Sequence, residues 1–523
     1  MSEVRNILFI MCDQLRADYL GCAGHPTIRT PNIDRLAAMG VRFERAYCQS
    51  PLCGPSRMSF YTGRYAVSHG ATFNNVPLPI SEWTLGEYLR PLGLRTAVIG
   101  KTHMQSDANG MRRTGLDPNS PDGVLMAECG FEPYARDDGL HPGVNPNPRN
   151  AYIRYLKEKG YQGPNPWHDY ANSAEGPDGE ILSGWRLRNS PFPARIDERD
   201  SETAFCTQRA MDFISECGEQ AWCLHLSFIK PHWPYIAPSP YHDIYSSKDV
   251  IPANRVASEM EVPNPVYAAF MQHEDSRSFQ SQTTRETVIP TYMGLITQID
   301  DHLGRLLDFL QASGKMQETL IVFTSDHGDY LGDHWLGEKE LFHEESVRIP
   351  CIIFDPSEIA NGTRGSVEHR LTESIDLIPT FLDYFAAAAS DHRLEGRSLK
   401  PLLHGLSPAW RDAVFSETDY AHREARAILG RPVDGARGFM IRNELWKYIF
   451  YEGFLPQLFD LQNDPQELND VASDPAWANV RQELHEGLFH WLRNRRVRTT
   501  MPNEGLAERP KKARERGLLI GAW

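Results

Sequence analysis

Short apolar runs that alternate with helical patterns are the feature that most constrains the fold of this chain. The runs are rich in β-branched or aromatic residues and cover residues 7–11, 97–99, 222–228, 320–323 and 349–354. Such runs are typical of strands buried on both faces, and the segments between them favour helices over about 31–39, 201–217 and 291–312. This alternation predicts a doubly wound α/β fold with a mostly parallel central sheet and helices on both faces.

Changes in the sequence pattern divide the 523 residues into regions. The α/β pattern covers residues 1–385, but residues 105–200 within it are rich in Pro, Gly, Asn and Asp, with interspersed aromatic residues. A stretch of this length in a compact domain indicates a loop-rich cover over a site. A new pattern over 386–492 predicts a smaller C-terminal α+β subdomain. The basic arm 493–523, which ends apolar, predicts docking on a second copy of the chain and hence a homo-oligomer, either a dimer or a tetramer.

Charge, hydropathy and cysteine content exclude several classes of partner and compartment. The formal net charge of −15 and the pI near 5.7 disfavour nucleic acid and membranes as partners. The apolar run 7–11 is too short for the core of a signal peptide, and no run reaches membrane-spanning length. Nine irregularly spaced cysteines argue against a disulfide framework. The expected compartment is the cytoplasm.

Polar side chains follow four of the predicted strands. The four sets are Cys12-Asp13-Gln14, Gly100-Lys101-Thr102-His103, Lys230-Pro231-His232-Trp233-Pro234 and Ser325-Asp326-His327-Gly328-Asp329. Ligands bind outside the carboxyl ends of the strands in open parallel sheets, so we expect these sets to share one site.

The residue types in these sets indicate the chemistry of that site. Two carboxylates and an imidazole, from Asp13, Asp326 and His327, suit one divalent cation. Positive charge and proton transfer would come from a second group: Arg57, Lys101, His103, His232 and Lys339. The mixture suits an ester of a tetrahedral oxyanion, because a metal and cations together neutralise its oxygens. Each residue alone also has an ordinary structural explanation.

Cys53 lies directly before Gly-Pro-Ser-Arg, at the predicted start of a helix. Pro55 suits the first helical position, so we expect Cys53 just outside a helix N-terminus. Backbone N–H groups and the positive end of the helix dipole would stabilise an attacking oxygen, a thiolate or a bound anion there. From this stretch alone, a buried turn cysteine remains the commoner explanation.

Cys-Gly-Pro-Ser-Arg at 53–57, followed by Tyr-Thr-Gly-Arg at 61–64, resembles the sulfatase signature. The resemblance extends over most of the chain, from Asp13 through GKTH at 100–103, PHWP at 231–234, SDHGD at 325–329 and KELFHEESVRIP at 339–350 to LFDLQNDPQE at 458–467. It implies the fold of the alkaline phosphatase superfamily, with residues 1–385 as the catalytic domain.

The resemblance also implies a mechanism. A maturation enzyme would oxidise Cys53 to formylglycine, whose metal-bound hydrate would attack the ester and whose hemiacetal intermediate would then collapse to release the anion. Arg57 and Lys101 would stabilise the hydrate, and His103 would remove the proton that triggers the collapse. His232 and Lys339 would bind the oxyanion and protonate the leaving oxygen.

The resemblance implies binding residues as well. Asn74 looks like the asparagine that related enzymes place near the substrate. The implied metal ligands are Asp13, Gln14, Asp326 and His327. Gln14 and His327 depart from the usual carboxylate-rich set, which makes Mn²⁺ or Zn²⁺ plausible beside the family's Ca²⁺.

Two substrate classes fit these residues. Asp13-Gln14 and Asp326-His327 resemble the phosphonate monoester hydrolases, whereas Lys101 and His103 match sulfatases. We therefore predict a hydrolase of sulfate monoesters with aryl sulfates as test substrates, and the alternative is a phosphonate monoester or phosphodiester hydrolase. In either case the substrate is a small molecule.

Two further alternatives remain open. One is a two-metal phosphatase or phosphomutase that uses Asp333-His334 as part of a second ligand set. The other is a non-catalytic protein that keeps the anion site without turnover.

Overall fold

The computed structural model describes residues 4–139, 147, 150–387, 392–509, 515 and 517. Its strands are β1 (Asn6–Asp13), β2 (Val41–Phe43), β3 (Ala46–Tyr47), β4 (Arg95–Gly100), β5 (Glu132–Arg136), β6 (Ser173–Glu175), β7 (Ile181–Ser183), β8 (Trp222–Pro231), β9 (Thr319–Ser325), β10 (Arg348–Ile349), β11 (Cys351–Phe354), β12 (Ser366–Glu368), β13 (Thr372–Glu373), β14 (Ala413–Asp419), β15 (Arg437–Asn443), β16 (Trp446–Tyr451) and β17 (Gln457–Asp460).

The α-helices of the described residues are α1 (Pro31–Met39), α2 (Cys53–Thr62), α3 (Ala66–His69), α4 (Leu85–Leu89), α5 (Ala108–Thr114), α6 (Pro121–Ala127), α7 (Ala151–Glu158), α8 (Glu202–Cys217), α9 (Pro265–Phe270), α10 (Glu274–Phe279), α11 (Gln282–Ala312), α12 (Glu344–Val347), α13 (Leu377–Tyr384), α14 (Lys400–Leu403), α15 (Glu424–Ile428), α16 (Ala478–Arg493) and α17 (Asn503–Ala507). None of them is both long enough and apolar enough to cross a membrane.

The central sheet has eight strands in the order β12-β2-β11-β9-β1-β8-β4-β5. Its neighbours pair in parallel except at β11, which runs antiparallel to both β9 and β2. Four of the five apolar runs noted in the sequence lie in this sheet, and the fifth contributes residues 351–354 as β11 after starting in β10 of a separate small sheet. The prediction of a mostly parallel central sheet is confirmed.

Alternate residues of β1 point to opposite faces of the sheet. Ile7, Phe9 and Met11 enter a core that includes side chains of α2, α4 and α13. Leu8, Ile10 and Cys12 enter a second core formed with α1, α8 and α11. Both faces of the sheet are therefore covered by helices, which confirms the doubly wound α/β class.

The C-terminal region forms a separate antiparallel sheet in the order β14-β15-β16-β17. One face, including Phe439 and Ile441, packs with Leu484 and Leu488 of α16. Met440 and Ile449, on the other face, join the core of the main sheet. A smaller α+β unit is thus present, formed by this antiparallel sheet and α16.

Two helix boundaries differ from the sequence-based expectation. Helix α11 begins at Gln282, about nine residues earlier than predicted, and contains Pro290 in its interior. The prediction placed the start after Pro290, because proline lacks the N–H that an interior helical residue donates. Helix α2 begins at Cys53 itself, so this cysteine is the first helical residue rather than a flanking one.

The two irregular regions contain more regular structure than their composition suggested. Residues 105–200 supply the edge strand β5, helices α5 to α7 and the hairpin β6–β7. In the C-terminal arm, Arg495 pairs with Glu417 at 2.9 Å, and α17 follows. The apolar end of the arm lies outside the described residues, and the oligomeric state stays a prediction.

Candidate active site

The four polar sets identified in the sequence lie at one edge of the central sheet. Strands β9, β1, β8 and β4 are consecutive neighbours in this sheet and run parallel. Their carboxyl ends therefore carry Asp326, Asp13, His232 and Lys101 side by side. The topology brings together residues that are up to about 300 positions apart in the chain.

Gly100 explains how β4 delivers Lys101 to this edge. Its φ is +90°, and a Cβ atom at this position would lie 1.9 Å from the carbonyl oxygen of Ser227 on β8. Only glycine combines this backbone conformation with such a close approach. Lys101 then reaches back across the strand ends, and its Nζ lies 2.6 Å from Oδ2 of Asp13.

Arg57, one turn into α2, binds the helix to the strand ends. Its fully buried guanidinium donates from Nε to Asp326 at 2.8 Å and from Nη2 to Asp13 at 3.2 Å. A further bond reaches the hydroxyl of Ser227 at 2.7 Å. Burying arginine is favourable only when its donors are satisfied, and here the two carboxylates and the hydroxyl fix the position of Cys53.

A cluster that could hold a metal ion contains Asp13, Cys53, Asp326 and His327, all buried, with ligand atoms within 4.8 Å of one another. Burial and the neighbouring charge of Asp13 raise the pKa of Asp326, although His327 and Arg57 oppose this. A divalent cation would remove the repulsion between the two carboxylates. The residues present therefore fit a metal, and the mixed oxygen and nitrogen donors suit Mn²⁺ or Zn²⁺ as well as Ca²⁺.

The tautomer of His327 also suits metal binding. Its Nδ1 lies 2.9 Å from the carbonyl oxygen of Gly328, which can only accept a hydrogen bond. In the neutral ring the proton is therefore on Nδ1 and the lone pair is on Nε2, which lies 3.1 Å from Sγ of Cys53. A carbonyl that orients a histidine in this way is a usual second partner of a metal ligand.

Gln14 lies beside this cluster with both ends of its amide engaged. Its Oε1 accepts a hydrogen bond from Nζ of Lys339 at 2.7 Å, and its Nε2 donates to Asp329 at 2.6 Å. Metal ligation by Gln14 stays a prediction, since its oxygen already has a partner. The backbone of Gln14 has φ +64°, which is uncommon for a residue with a side chain and marks a constrained site.

The predicted basic residues lie around Cys53. Nζ of Lys339 is 3.1 Å from Nε2 of His232, whose Nδ1 lies 2.8 Å from the carbonyl oxygen of Trp233. That carbonyl places the proton of a neutral His232 on Nδ1 and leaves Nε2 to accept from Lys339. The side chains of His103 and His232 both interact with the Cys53 sulfur.

These charges change the acidity of the Cys53 thiol. Burial alone would raise its pKa, but Lys101, Lys339 and His327 hold the pKa well below its ordinary value. Burial lowers the pKa of His232, and Lys339 lowers it further, which favours the neutral ring. The arrangement therefore stabilises negative charge at position 53.

Asn74 contacts the start of α2 directly. Its Oδ1 accepts a hydrogen bond from the backbone N–H of Gly54 at 2.7 Å, and a Cβ at position 54 would collide with this same oxygen. Asn74 and its neighbour Asn75 both line the cavity above Cys53. The structure thus places Asn74 at the site, as expected, and shows that its oxygen serves the helix N-terminus.

The cavity above Cys53 has a volume of about 390 Å³. Several of its lining residues were not singled out as site residues in the sequence: Asp138, Trp185, Glu202, Lys230, Trp233, Glu340 and Arg423. Lys230 and Trp233 belong to a strand-end set already noted, so their closeness to His232 in the sequence could have indicated that they line the site. Glu340 directly follows Lys339 in the motif at 339–350, so it also had a usable signal. Asp138, Trp185, Glu202 and Arg423 come from segments without a quoted motif.

Asp138 has a supporting role at this cavity. Its Oδ1 accepts the backbone N–H groups of Thr102 and His103, at 2.9 and 3.0 Å. His103 has φ +52°, so these bonds hold a strained backbone at the point where its side chain turns toward Cys53.

Asp333 and His334 do not join the metal cluster found among the described residues. Asp333 pairs with Arg16 at 2.6 Å, and His334 lies between Glu259 and Glu345, at 2.7 and 3.3 Å. The second ligand set that a two-metal phosphatase would need is therefore engaged in ion pairs.

Comparison with known families shows to which family this chain belongs. The model of the family described as "Sulfatase" matches residues 5–387, and that of "N-sulphoglucosamine sulphohydrolase, C-terminal" matches residues 332–494. The chain belongs to the sulfatase family. This sulfatase-family protein has the fold that the resemblance implied.

Relatives of this sulfatase-family protein match it over nearly their whole length. It is 32% identical to the "Multifunctional alkaline phosphatase superfamily protein PehA" of Trinickia caryophylli, over 95% of this chain and 96% of that one. Identity to an arylsulfatase of Clostridium perfringens is 28%, over 97% and 98% of the two chains. Among solved structures, the phosphonate monoester hydrolase of Silicibacter pomeroyi is 29% identical with a TM-score of 0.83, over 96% and 98% of the chains. The protein is thus a hydrolase of the alkaline phosphatase superfamily.

Proposed function

We propose that this protein hydrolyses sulfate monoesters, with aryl sulfates as suitable test substrates, and that residue 53 acts as formylglycine. The observation that carries the proposal is the convergence of Lys101, His103, His232 and Lys339 on Cys53, beside two carboxylates and an imidazole. The Cys-Gly-Pro-Ser-Arg segment and the family match support it.

Asp13, Asp326, His327 and residue 53 would hold one divalent metal ion, and Gln14 is the further predicted ligand beside them. When bound, such an ion supplies a Lewis acid that polarises oxygen and offsets developing negative charge. The identity of the metal is part of the proposal, with Ca²⁺ and Mn²⁺ favoured and Zn²⁺ as a further candidate.

The chain's own residues would bind the ester and transfer its protons. Lys339 would carry a positive charge toward the sulfate oxygens, because burial lowers the pKa of this lysine but the carboxylates of Glu338, Asp13 and Asp326 raise it. His232 shares a hydrogen bond with Lys339, so this pair can pass a proton to the leaving oxygen. His103, near residue 53, is placed to accept a proton from the nucleophile's side.

A comparison of two substrates on one preparation tests the proposal. The protein would be co-expressed with a formylglycine-generating enzyme, the partner that we propose for maturation, and peptide mass spectrometry would detect the aldehyde at position 53. We expect 4-nitrophenyl sulfate to have a larger kcat/KM than the 4-nitrophenyl monoester of phenylphosphonate. Cys53→Ala should lower turnover by about four orders of magnitude and leave the melting temperature nearly unchanged. Retained activity in this variant would refute the proposed nucleophile.

A second candidate function is hydrolysis of phosphonate monoesters with the same nucleophile. The specific observation in its favour is the metal frame, in which Gln14 replaces a carboxylate and His327 follows Asp326. Two phosphonate monoester hydrolases also match in structure with TM-scores of 0.83 and 0.80. A preference for the phosphonate ester in the experiment above would establish this alternative.

One combined result would separate catalysis from binding. An unmodified Cys53 in the native host, together with tight binding of sulfate esters and no hydrolysis, would indicate a non-catalytic anion-binding protein. For the assembly we propose a homo-oligomer, which light scattering would contradict by giving the mass of one chain.

A further inference from the structure

A second, larger cavity adjoins the cavity above Cys53. The inner cavity has a volume of about 390 Å³ and the outer one about 820 Å³. Five residues line both: Trp185, Trp233, Pro234, Glu338 and Arg423. The two cavities therefore adjoin at these five residues, and Cys53 lines the inner one.

The passage between the cavities is aromatic on one side and charged on the other. The rings of Trp185 and Trp233 meet edge to face, with centroids 5.3 Å apart. On the other side, Nε of Arg423 lies 3.1 Å from Oε1 of Glu340. A flat ring in the passage would pack against the indoles, which favour ring contacts of this geometry.

The outer cavity is polar and carries both signs of charge. Arg186 and Arg188 are exposed at its wall, and Glu274, Asp275 and Glu424 contribute carboxylates. Ser278 and Thr284 add hydroxyl groups. A polyanion would meet the carboxylates and a polycation the arginines, whereas neutral hydroxyl groups can both donate to carboxylates and accept from guanidinium groups.

The volumes set the length of the molecule that would fill this space. Binding sites for whole small ligands span about 300–1,000 Å³, so the inner cavity matches an ester group with one ring. The outer cavity is as large as a complete ligand site on its own. It is therefore available to a part of the leaving group that lies beyond the first ring.

We propose that the outer cavity is a binding site for the distal part of an extended leaving group, and that this part is neutral and rich in hydroxyl groups. The inference rests on the proposed esterase function of the inner cavity. The substrate class is an ester whose first ring packs against the indoles of Trp185 and Trp233 and whose second unit, of carbohydrate type, occupies the outer cavity.

Two aryl sulfates with matched leaving groups test this inference. The first is 4-methoxyphenyl sulfate, and the second is 4-(β-D-glucopyranosyloxy)phenyl sulfate, in which glucose replaces the methyl group at the far end of the ring. Both carry an alkoxy group para to the ester, so the glucosyl unit changes length and hydroxyl content with little change at the reacting oxygen. Two or more net hydrogen bonds in the outer cavity would raise kcat/KM for the glucoside about tenfold over the methoxy compound.

A substitution in the outer cavity gives the decisive comparison. Ser278 lines the outer cavity but not the inner one, so the indole of Ser278→Trp should obstruct the space for the glucosyl unit and lower the glucoside-to-methoxy ratio of kcat/KM toward one. Ser313→Trp is the matched control, because Ser313 is exposed beyond the end of α11 and lines neither cavity. Should Ser278→Trp fail to fold, Arg188→Ala at the exposed wall should lower the same ratio by about threefold.

The outcomes separate this inference from the proposed function. A wild-type ratio near one, or a raised ratio that persists in Ser278→Trp and Arg188→Ala, would overturn the outer site. If neither sulfate is hydrolysed, the proposed sulfatase activity is wrong. The same two phenols would then be tested as phenylphosphonate monoesters, and their ratio decides the outer site in the same way.

Discussion

Two Asp-His pairs seven residues apart have opposite surroundings. Asp326–His327 follows β9, and the His327 Nε2 atom faces the Cys53 sulfur and the Asp13 carboxylate. Asp333–His334 lies in a short turn, and both ring nitrogens of His334 contact glutamates. The same dipeptide is thus available to a metal in one place and committed to ion pairs in the other, so neighbouring charges, not the dipeptide, decide its role.

Replacing His327 should give the largest change in activity. His327→Ala removes one of the candidate metal ligands, so we expect kcat/KM to fall by about 10³-fold or more, with less metal retained after dialysis. Kinetics and elemental analysis would measure both effects. Full activity with unchanged metal content in this variant would mean that Asp326–His327, like Asp333–His334, does not serve the metal site.

Replacing His334 should change stability instead. His334→Gln leaves Glu259 and Glu345 without their cation, and breaking a buried ion pair costs about 3–5 kcal/mol. Burial lowers the pKa of His334, but Glu345 and Glu259 raise it to about 10 overall. A raised pKa stabilises the fold below the ordinary histidine value near 6.5, and this stabilisation is lost as pH rises through about 10.

The variant should therefore melt at a lower temperature at pH 6–7 and lose less stability than the wild type between pH 7 and 10. Thermal melts across this range test the expectation, with His327→Ala as the matched control. A fall in kcat/KM beyond about threefold in the folded His334→Gln protein would contradict a purely structural role.

Lys339 belongs to the site around Cys53 and lies five residues after the Asp333–His334 pair. Its neighbours Glu338 and Glu340 have φ values of +59° and +90°, and Arg423 pairs with Glu340. We expect Arg423→Met to release this strained segment and lower kcat about tenfold through misplacement of Lys339. KM for a small aryl sulfate should change less than kcat, and Arg423→Lys should restore part of the loss. A raised KM with an unchanged kcat and no rescue by Arg423→Lys would indicate a role in substrate binding alone.

The smallest effect is expected at Asn74. Asn74→Ala removes the acceptor of the Gly54 N–H bond at the start of α2 and should lower the free energy of unfolding by about 1 kcal/mol. Denaturant melts would measure this change, with Asn75→Ala as the neighbouring control. A larger effect in Asn75→Ala would mean that Asn75, and not Asn74, stabilises the start of α2.

The sequence predicted the fold and the site to different extents. The strands β1, β4, β8 and β9 contain continuous apolar runs, and their parallel arrangement brings the polar sets that follow them to one edge, so this part was predictable. Strands β2, β5 and β12 were not predicted, because they have only three to five residues and no continuous apolar run.

The parts of the site that were missed depend on contacts between distant segments. Nothing near Arg423 in the sequence indicates that it pairs with Glu340, and nothing near Asp138 indicates that it holds the backbone of His103. The Asp333–His334 pair resembles a ligand set because its ion-pair partners are not visible in the local sequence. Arg16 and Glu259 lie 75 or more residues away, and Glu345 lies on α12. Local patterns specify strands and caps, whereas side-chain partners follow from the assembled core.

The burial of Cys53 and Arg57 has a consequence for the order of events in the cell. The Cys53 side chain is 1% exposed and the Arg57 side chain is fully buried. A second protein therefore cannot contact both residues once α2 has packed on the strand ends. A small ester can still reach position 53 through the cavity. If an enzyme converts this cysteine, it must therefore act on the nascent or unfolded chain, and protein that folds first keeps its thiol for its lifetime.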